Sequence, residues 1–179
     1  MLDQDYDTPA PGRECGNCTL CCKVYDIHEI RKPEGRWCQH CTPGRGCRIH
    51  EDRPDQCREF FCLWLTDADI PLDWKPERTK VVLSVFPENG FVYGQVDPGS
   101  PQAWRKEPYF SELKRLSASL LKQNRHLIMF VNRDATLIMP TGAVPMGQMS
   151  PLDGFIVRPV FSDGGPGYEV ERVPQGLIR

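Results

Sequence analysis

Nine cysteines constrain this chain more than any other feature, because all of them fall between Cys15 and Cys62 and none follows. They run Cys15-x2-Cys18-x2-Cys21-Cys22, then Cys38-x2-Cys41-x5-Cys47-x9-Cys57-x4-Cys62. Gly, Pro and charged residues separate the thiols, and aliphatic runs are few. Such a segment buries little on its own and depends on a metal for its shape. The odd count excludes a fully paired disulfide framework within one chain. The amino-terminal stretch, MLDQDYDTPAPGREC, is acidic and proline-bearing, whereas a secretory signal has a positive start and an apolar core. No apolar run approaches the roughly 18–20 residues that cross a bilayer. The expectation is a cytoplasmic protein with no membrane partner. In a reducing compartment clustered thiols are metal ligands or catalytic groups rather than disulfides.

A chain of 179 residues is long enough to bury a core without cysteine staples. Its 22 basic and 24 acidic side chains nearly cancel. Neither the part before Cys62 nor the part after it has the basic excess of a nucleic-acid binder, so no nucleic-acid partner is expected. Composition shifts near residue 65. The expected organisation is a cysteine-rich zinc- or iron-chelating module over residues 1–65, and an α+β module over residues 66–179 that continues the same compact domain.

HEDRPDQCREFFCLWL, residues 50–65, reads as one short helix with Asp52 as N-cap and Pro54 in the first turn. Cys57, Phe60, Phe61 and Trp64 then share a face. Cys62 falls about 140° round the helix from Cys57, so one face does not offer both to one ion. Residues 66–78 read as a polar connector. Residues 79–86 and 91–96 form a hairpin turned by Asn89-Gly90. Residues 108–124 make the clearest helix, with Phe110, Leu113, Leu116, Leu120 and Leu121 as its apolar stripe. Residues 126–132 and 135–140 give a second hairpin, and residues 154–161 and 168–173 two more strands around the turn DGGPG. Residues 140–154 read as a long functional loop. The order predicts an α+β fold: a small Cys-rich metal-binding N-terminal module packed on an antiparallel sheet with one main helix.

Two metal chemistries compete for the cysteines. In one, Cys15 and Cys18 join Cys38 and Cys41 in a four-sulfur zinc site, leaving Cys21, Cys22, Cys47 and Cys57 for a second ion. In the other, Cys15, Cys18 and Cys21 form the C-x2-C-x2-C of a four-iron cluster completed by a remote cysteine. Thiolates suit both zinc and iron–sulfur centres. The neighbours Cys21 and Cys22 are expected to point apart. That favours two centres, or one ligand beside one working thiol.

CGNCTLCC, residues 15–22, followed by GCRIHEDRPDQCREFFC, residues 46–62, resembles the CxxCxxCC family of zinc- or iron-chelating domains. That family includes the flagellin lysine N-methylases. The resemblance covers residues 15–62, about a quarter of the chain. It implies Cys15, Cys18, Cys21, Cys22, Cys47 and Cys57 as ligands, and the C-x2-C spacing adds Cys38 and Cys41. The methylase branch implies an iron–sulfur-dependent protein-modifying activity as an alternative. A thiol redox protein working through Cys21 or Cys22 is another. The expected partners are the metal ion and a protein partner or substrate.

Other side chains read more plainly. Cys62, beside Leu63 and Trp64, reads as a buried apolar residue. His40, within CQHC, is an exposed loop histidine or a replacement for one thiolate. His50 reads as packing, and His28 and His126 as structural. Arg48, Arg53, Arg58 and Arg13 either pair with nearby carboxylates or offset the charge of a thiolate–metal centre. Met139, Met146 and Met149 read as core or loop fillers. No P-loop, dinucleotide fingerprint, HExxH or nucleophile elbow is present. An enzyme would therefore look for its cofactor pocket at residues 140–154.

Overall fold

The computed structural model describes residues 8–150, 153–162 and 165–173. Residues 1–7 of the acidic terminus, and Asp163 and Gly164 of the last expected turn, lie outside the described residues. The fold is α+β, as the order of elements predicted. Among the described residues the cysteine-rich part contains short pieces: α1 (Cys21–Val24), a 3-10 turn (His28–Ile30), β1 (Cys41–Thr42), β2 (Gly46–Cys47) and α2 (Asp55–Arg58). Then follow α3 (Leu63–Thr66) and α4 (Pro76–Thr79). Strands β3 (Val81–Val85) and β4 (Val92–Val96) lead to the main helix α5 (Tyr109–Leu121). Strands β5 (Leu127–Val131), β6 (Asp134–Met139) and β7 (Gly142–Gln148) complete one sheet, and β8 (Gly154–Ser162) and β9 (Gly165–Val173) form a separate hairpin.

The main sheet is five-stranded in the order β3-β4-β5-β6-β7. Its neighbours are antiparallel except β4 and β5, which run parallel with Val92 opposite Leu127. Parallel neighbours need a crossover connection, and α5 lies within it. Leu113 and Leu120, on the apolar stripe of α5, are fully buried against Val81, Leu83, Val92, Leu127 and Met129. The Ser117 hydroxyl donates to the Ile138 carbonyl and so satisfies a polar group inside that contact.

Strand alternation sends the next side chains to the other face. There Tyr93, Ile128, Phe130 and Leu137 pack with Phe155, Val157, Tyr168 and Val170 of the β8–β9 hairpin. Met139, Met146 and Met149 are buried in this second cluster, so the three methionines fill core space as expected. On strand β3 the same alternation gives Val82 a partner set of its own. Leu20 and Val24 of the cysteine-rich segment pack on it, with Tyr25, Phe60 and Cys62 alongside. Among the described residues no helix is long and apolar enough to cross a membrane.

Four expectations change. Residues 50–65 are not one helix: α2 stops at Arg58, and Cys62 is extended (φ −80°, ψ 152°) before α3 begins. The break lets adjacent aromatics serve two cores. Phe60 stacks on Tyr25 with ring centroids 4.7 Å apart, while Phe61 packs into the cluster under α5. Asp52 does not cap α2; Pro54 takes that position with no side-chain cap bond. Residues 140–154 are not simply a loop, since β7 pairs with β6 as far as Gln148, with a register shift at Ala135/Thr136. The connector at 66–78 contains a short 3-10 turn over Leu72–Trp74 that buries Trp74.

Two outcomes test this account. Leu113 is 0 % exposed. Leu113→Ala is expected to lower unfolding free energy by about 2–5 kcal/mol, read as a shifted midpoint in chemical denaturation. His126 sits between Phe91 and Phe155, with ring centroids 4.9 and 5.0 Å away, and its Nδ1 is buried without a hydrogen-bond partner among the described residues. Burial holds its pKa below the ordinary value of 6.5. The unfolded chain takes up that proton first, so this stability is full above pH 6.5 and declines as pH falls through the unfolded value toward the folded one. His126→Phe is expected to flatten the acid side of a stability–pH profile, and an unchanged slope would contradict the assignment.

Candidate metal centre

Short hydrogen-bonded turns bring the cysteines together. The Cys18 amide donates to the Cys15 carbonyl, closing the first C-x2-C at 2.9 Å. Cys21 opens α1, and the Cys38 amide donates to the Cys22 carbonyl at 3.0 Å, which joins the second C-x2-C to the first motif. Strands β1 and β2 set Cys41 opposite Cys47. Their connection passes Gly44 and Gly46 at φ +71° and +124°, backbone that L side chains rarely adopt. The buried Thr19 hydroxyl accepts from the Gly44 amide at 3.1 Å and fixes this turn to the Cys15–Cys22 loop. Cys57 lies on α2. The Gln56 amide of that helix donates to the Glu29 carboxylate, and the Gln56 side chain to the Asp26 carbonyl, each at 2.9 Å.

Eight of the nine cysteines line one cavity of about 450 Å³: Cys15, Cys18, Cys21, Cys22, Cys38, Cys47, Cys57 and Cys62. Cys41 does not line it but is buried against Cys22, Cys38 and Cys57, with its free thiol hydrogen-bonded to that of Cys22. The eight expected ligands are thus all at one cavity or packed against its lining, and Cys62 is there as well. The expectation that Cys21 and Cys22 point apart is overturned, because their thiols hydrogen-bond each other. Both lie in the first turn of α1 and both line the same hollow. Among the described residues no three His, Cys, Asp or Glu side chains form a preformed set of metal ligands. The thiols share a cavity without already sharing a point.

Their electrostatics follow from this crowding. The bond from Cys21, then burial, raises the Cys22 thiol far above its ordinary value. Burial, followed by the Cys22 charge, pushes Cys41 up to about 12. Burial, then Cys22, Cys38 and Cys47, brings Cys57 to about 11. Cys62 rises to about 12 chiefly through burial, with Cys15 and Cys18 adding repulsion. Cys15 and Cys18 are raised as well, again by burial first. These groups stay protonated near neutral pH unless a cation meets them. Soft thiolate donors in a confined, largely apolar hollow fit zinc or iron–sulfur ligation.

The positive charge beside the thiols comes mostly from residues that the sequence did not single out. Arg48 donates to the Gln39 carbonyl. Arg58 donates to the Arg53 and Glu51 carbonyls, and Arg13 to those of Trp64, Ala68 and Ile70. All four arginines therefore tie down backbone, Arg53 through the His50 carbonyl at 2.9 Å, and Arg53 also faces the Cys15 thiol. Lys75 faces Cys15 and Cys18. Lys32 faces Cys38, Cys22 and Cys21. It is 6 % exposed, and its ammonium donates to the Lys23 carbonyl at 2.8 Å and to the Tyr25 carbonyl. It thus satisfies backbone acceptors at the end of α1 and holds a cation against the thiols. No spacing or motif around Lys32 announces this. His40 is half-buried at the cavity wall, His50 bonds Arg53 at its edge, and His28 pairs with Asp26 at 3.1 Å outside it.

No family model, no curated protein and no solved structure matches this chain.

Lys32→Met keeps the length of the side chain and removes its charged bonds, each worth about 1.5–3 kcal/mol. Faster amide exchange is expected at Cys21–Tyr25 than in the wild type, with the exchange of β4 and β5 unchanged. Equal rates at Cys21–Tyr25 would contradict the role given to Lys32.

Proposed function

We propose that this chain is a cytoplasmic metal-binding protein that chelates zinc or an iron–sulfur cluster through its cysteine cluster. The observation that carries this reading is the single cavity lined by eight cysteines from segments far apart in sequence. The resemblance to the CxxCxxCC family supports it, since the same residues carry that signature. Ligation supplies what the crowded thiols lack, a cation that favours their ionised form. The ligands proposed are Cys15, Cys18, Cys21, Cys22, Cys38, Cys41, Cys47 and Cys57, with Lys32, Lys75 and Arg53 offsetting the excess negative charge. A protein partner or substrate would meet the module from outside.

The rival readings draw less support. A reactive redox thiol needs a lowered pKa, whereas the shifted thiols here move upward. A methylase-like enzyme needs a cofactor pocket; the stretch where one was expected runs largely as edge strand β7 through Gln148 and meets a cavity at Pro140.

Anaerobic purification followed by elemental and sulfide analysis tests the proposal. Brown protein with iron and acid-labile sulfide identifies the cluster; colourless protein with stoichiometric zinc identifies the ion. Chelation is then expected to raise amide exchange across residues 14–62 before the sheet is affected. Protein that carries neither metal, and takes up neither on reconstitution, would sink the reading.

A further inference from the structure

A second cavity, of about 950 Å³, opens at the carboxyl end of α5. Leu121 and Lys122 of that helix end, His126 just before β5, and Phe155 and Tyr168 of the β8–β9 hairpin line it. Phe91 completes an aromatic wall, edge-to-face with His126 and 5.8 Å from Phe155 between ring centroids. Buried polar groups are paired as a rule, and an exception asks for a partner. His126 is such an exception. Its Nδ1 is buried and bonded to nothing among the described residues, and Nε2, the nitrogen that solvent reaches, makes no hydrogen bond among them either. Burial holds the ring in its neutral form, which carries one N–H. The charge around the cavity is one-sided. Lys122 stands exposed at the rim without an ion-pair partner among the described residues, and no Asp or Glu side chain among them lines the cavity. Arg125 adds a second cation nearby, packed over Gly90 beside Phe91. The last carbonyls of α5 do not offset this charge, because Leu120 accepts from Gln123 and Arg125 and Leu121 accepts from Asn124.

We propose that this cavity is a binding site for a small planar aromatic carboxylate. The ligand ring lies in the hollow between Leu121, Phe155 and Tyr168, where ring-to-ring contacts add to apolar burial. Its carboxylate meets the Lys122 ammonium and accepts from the His126 Nε2–H, bonds that the ligand's charge makes stronger than neutral ones. The site thereby accounts for a histidine that packing alone leaves without a partner. Its volume falls within the range of about 300–1,000 Å³ common to small-molecule sites. The site stands apart from the metal reading, since the two cavities share no residue.

Calorimetric titration of the full chain with three probes of one shape tests this: indole-3-acetate, the neutral indole-3-acetamide and the cationic tryptamine. The acid is expected to bind about tenfold more tightly than the amide, and tryptamine more weakly still. Lys122→Met, which alters an exposed side chain, is expected to remove most of the preference for the acid and to leave the affinity for the amide unchanged. Phe155→Ala is expected to weaken all three. In the wild type, indole-3-acetate is expected to move the nitrogen chemical shifts of the His126 ring. No binding of indole-3-acetate at millimolar concentration, equal affinity for acid and amide, a preference that survives Lys122→Met, or an unmoved His126 ring would overturn the site. Metal content is expected to be the same in the wild type and both variants, so failure of this site and failure of the metal reading are told apart.

Discussion

Eight thiols that face one hollow cannot ionise together without a cation among them, and the amino-terminal third of this protein is built around that constraint. Among the described residues its helices are four residues long or shorter and its β1–β2 ladder is two residues per strand. Helices of that length do not sustain themselves in water. What holds the segment is a set of turn hydrogen bonds, the buried ammonium of Lys32, and one apolar footing on the sheet. Buried like-charged groups raise one another's pKa, so the same crowding that marks the cavity keeps it neutral until something positive arrives.

The footing is strand β3. Because successive side chains alternate, Val81 and Leu83 join the core under α5 while Val82 turns to Leu20 and Val24. One edge strand thereby couples the cysteine segment to the sheet. The residues between α2 and α3 repeat the arrangement: Phe60 goes to the cysteine side, Phe61 to the helix side, and Cys62 touches both clusters. The geometry of the cavity is therefore fixed partly by the sheet and not by the cysteine motifs alone.

The sequence made the periodic elements legible. Helix α5 and the hairpins β3–β4 and β5–β6 carry strong apolar patterns, and they form where those patterns place them. The parallel β4–β5 contact was hidden, since strand patterns do not say which strands become neighbours. Strand β7 was hidden because Gly142, Pro145 and Gly147 look like loop chemistry, and only pairing with β6 makes the segment extended. The C-x2-C steps made most of the cavity wall legible. The apolar packing of Cys62 was legible, but its position relative to Cys57 was misread because a helical period was carried through residues 59–62, where two competing cores break it. Lys32 left no trace, since a buried lysine is recognised only from the carbonyls it meets.

Strand β7 lies at the rim of the main sheet, with Pro145 exposed at its middle and a register shift opposite it. Proline offers no amide hydrogen to a neighbouring strand, and a bulge twists the edge away from one. The border most distant from β3 is thus a poor template for another chain. The cysteine-rich segment, held by short turns and one apolar footing, is the part that loosens most readily. A sheet that refuses an added strand on its far side is protected from self-association while that segment is open.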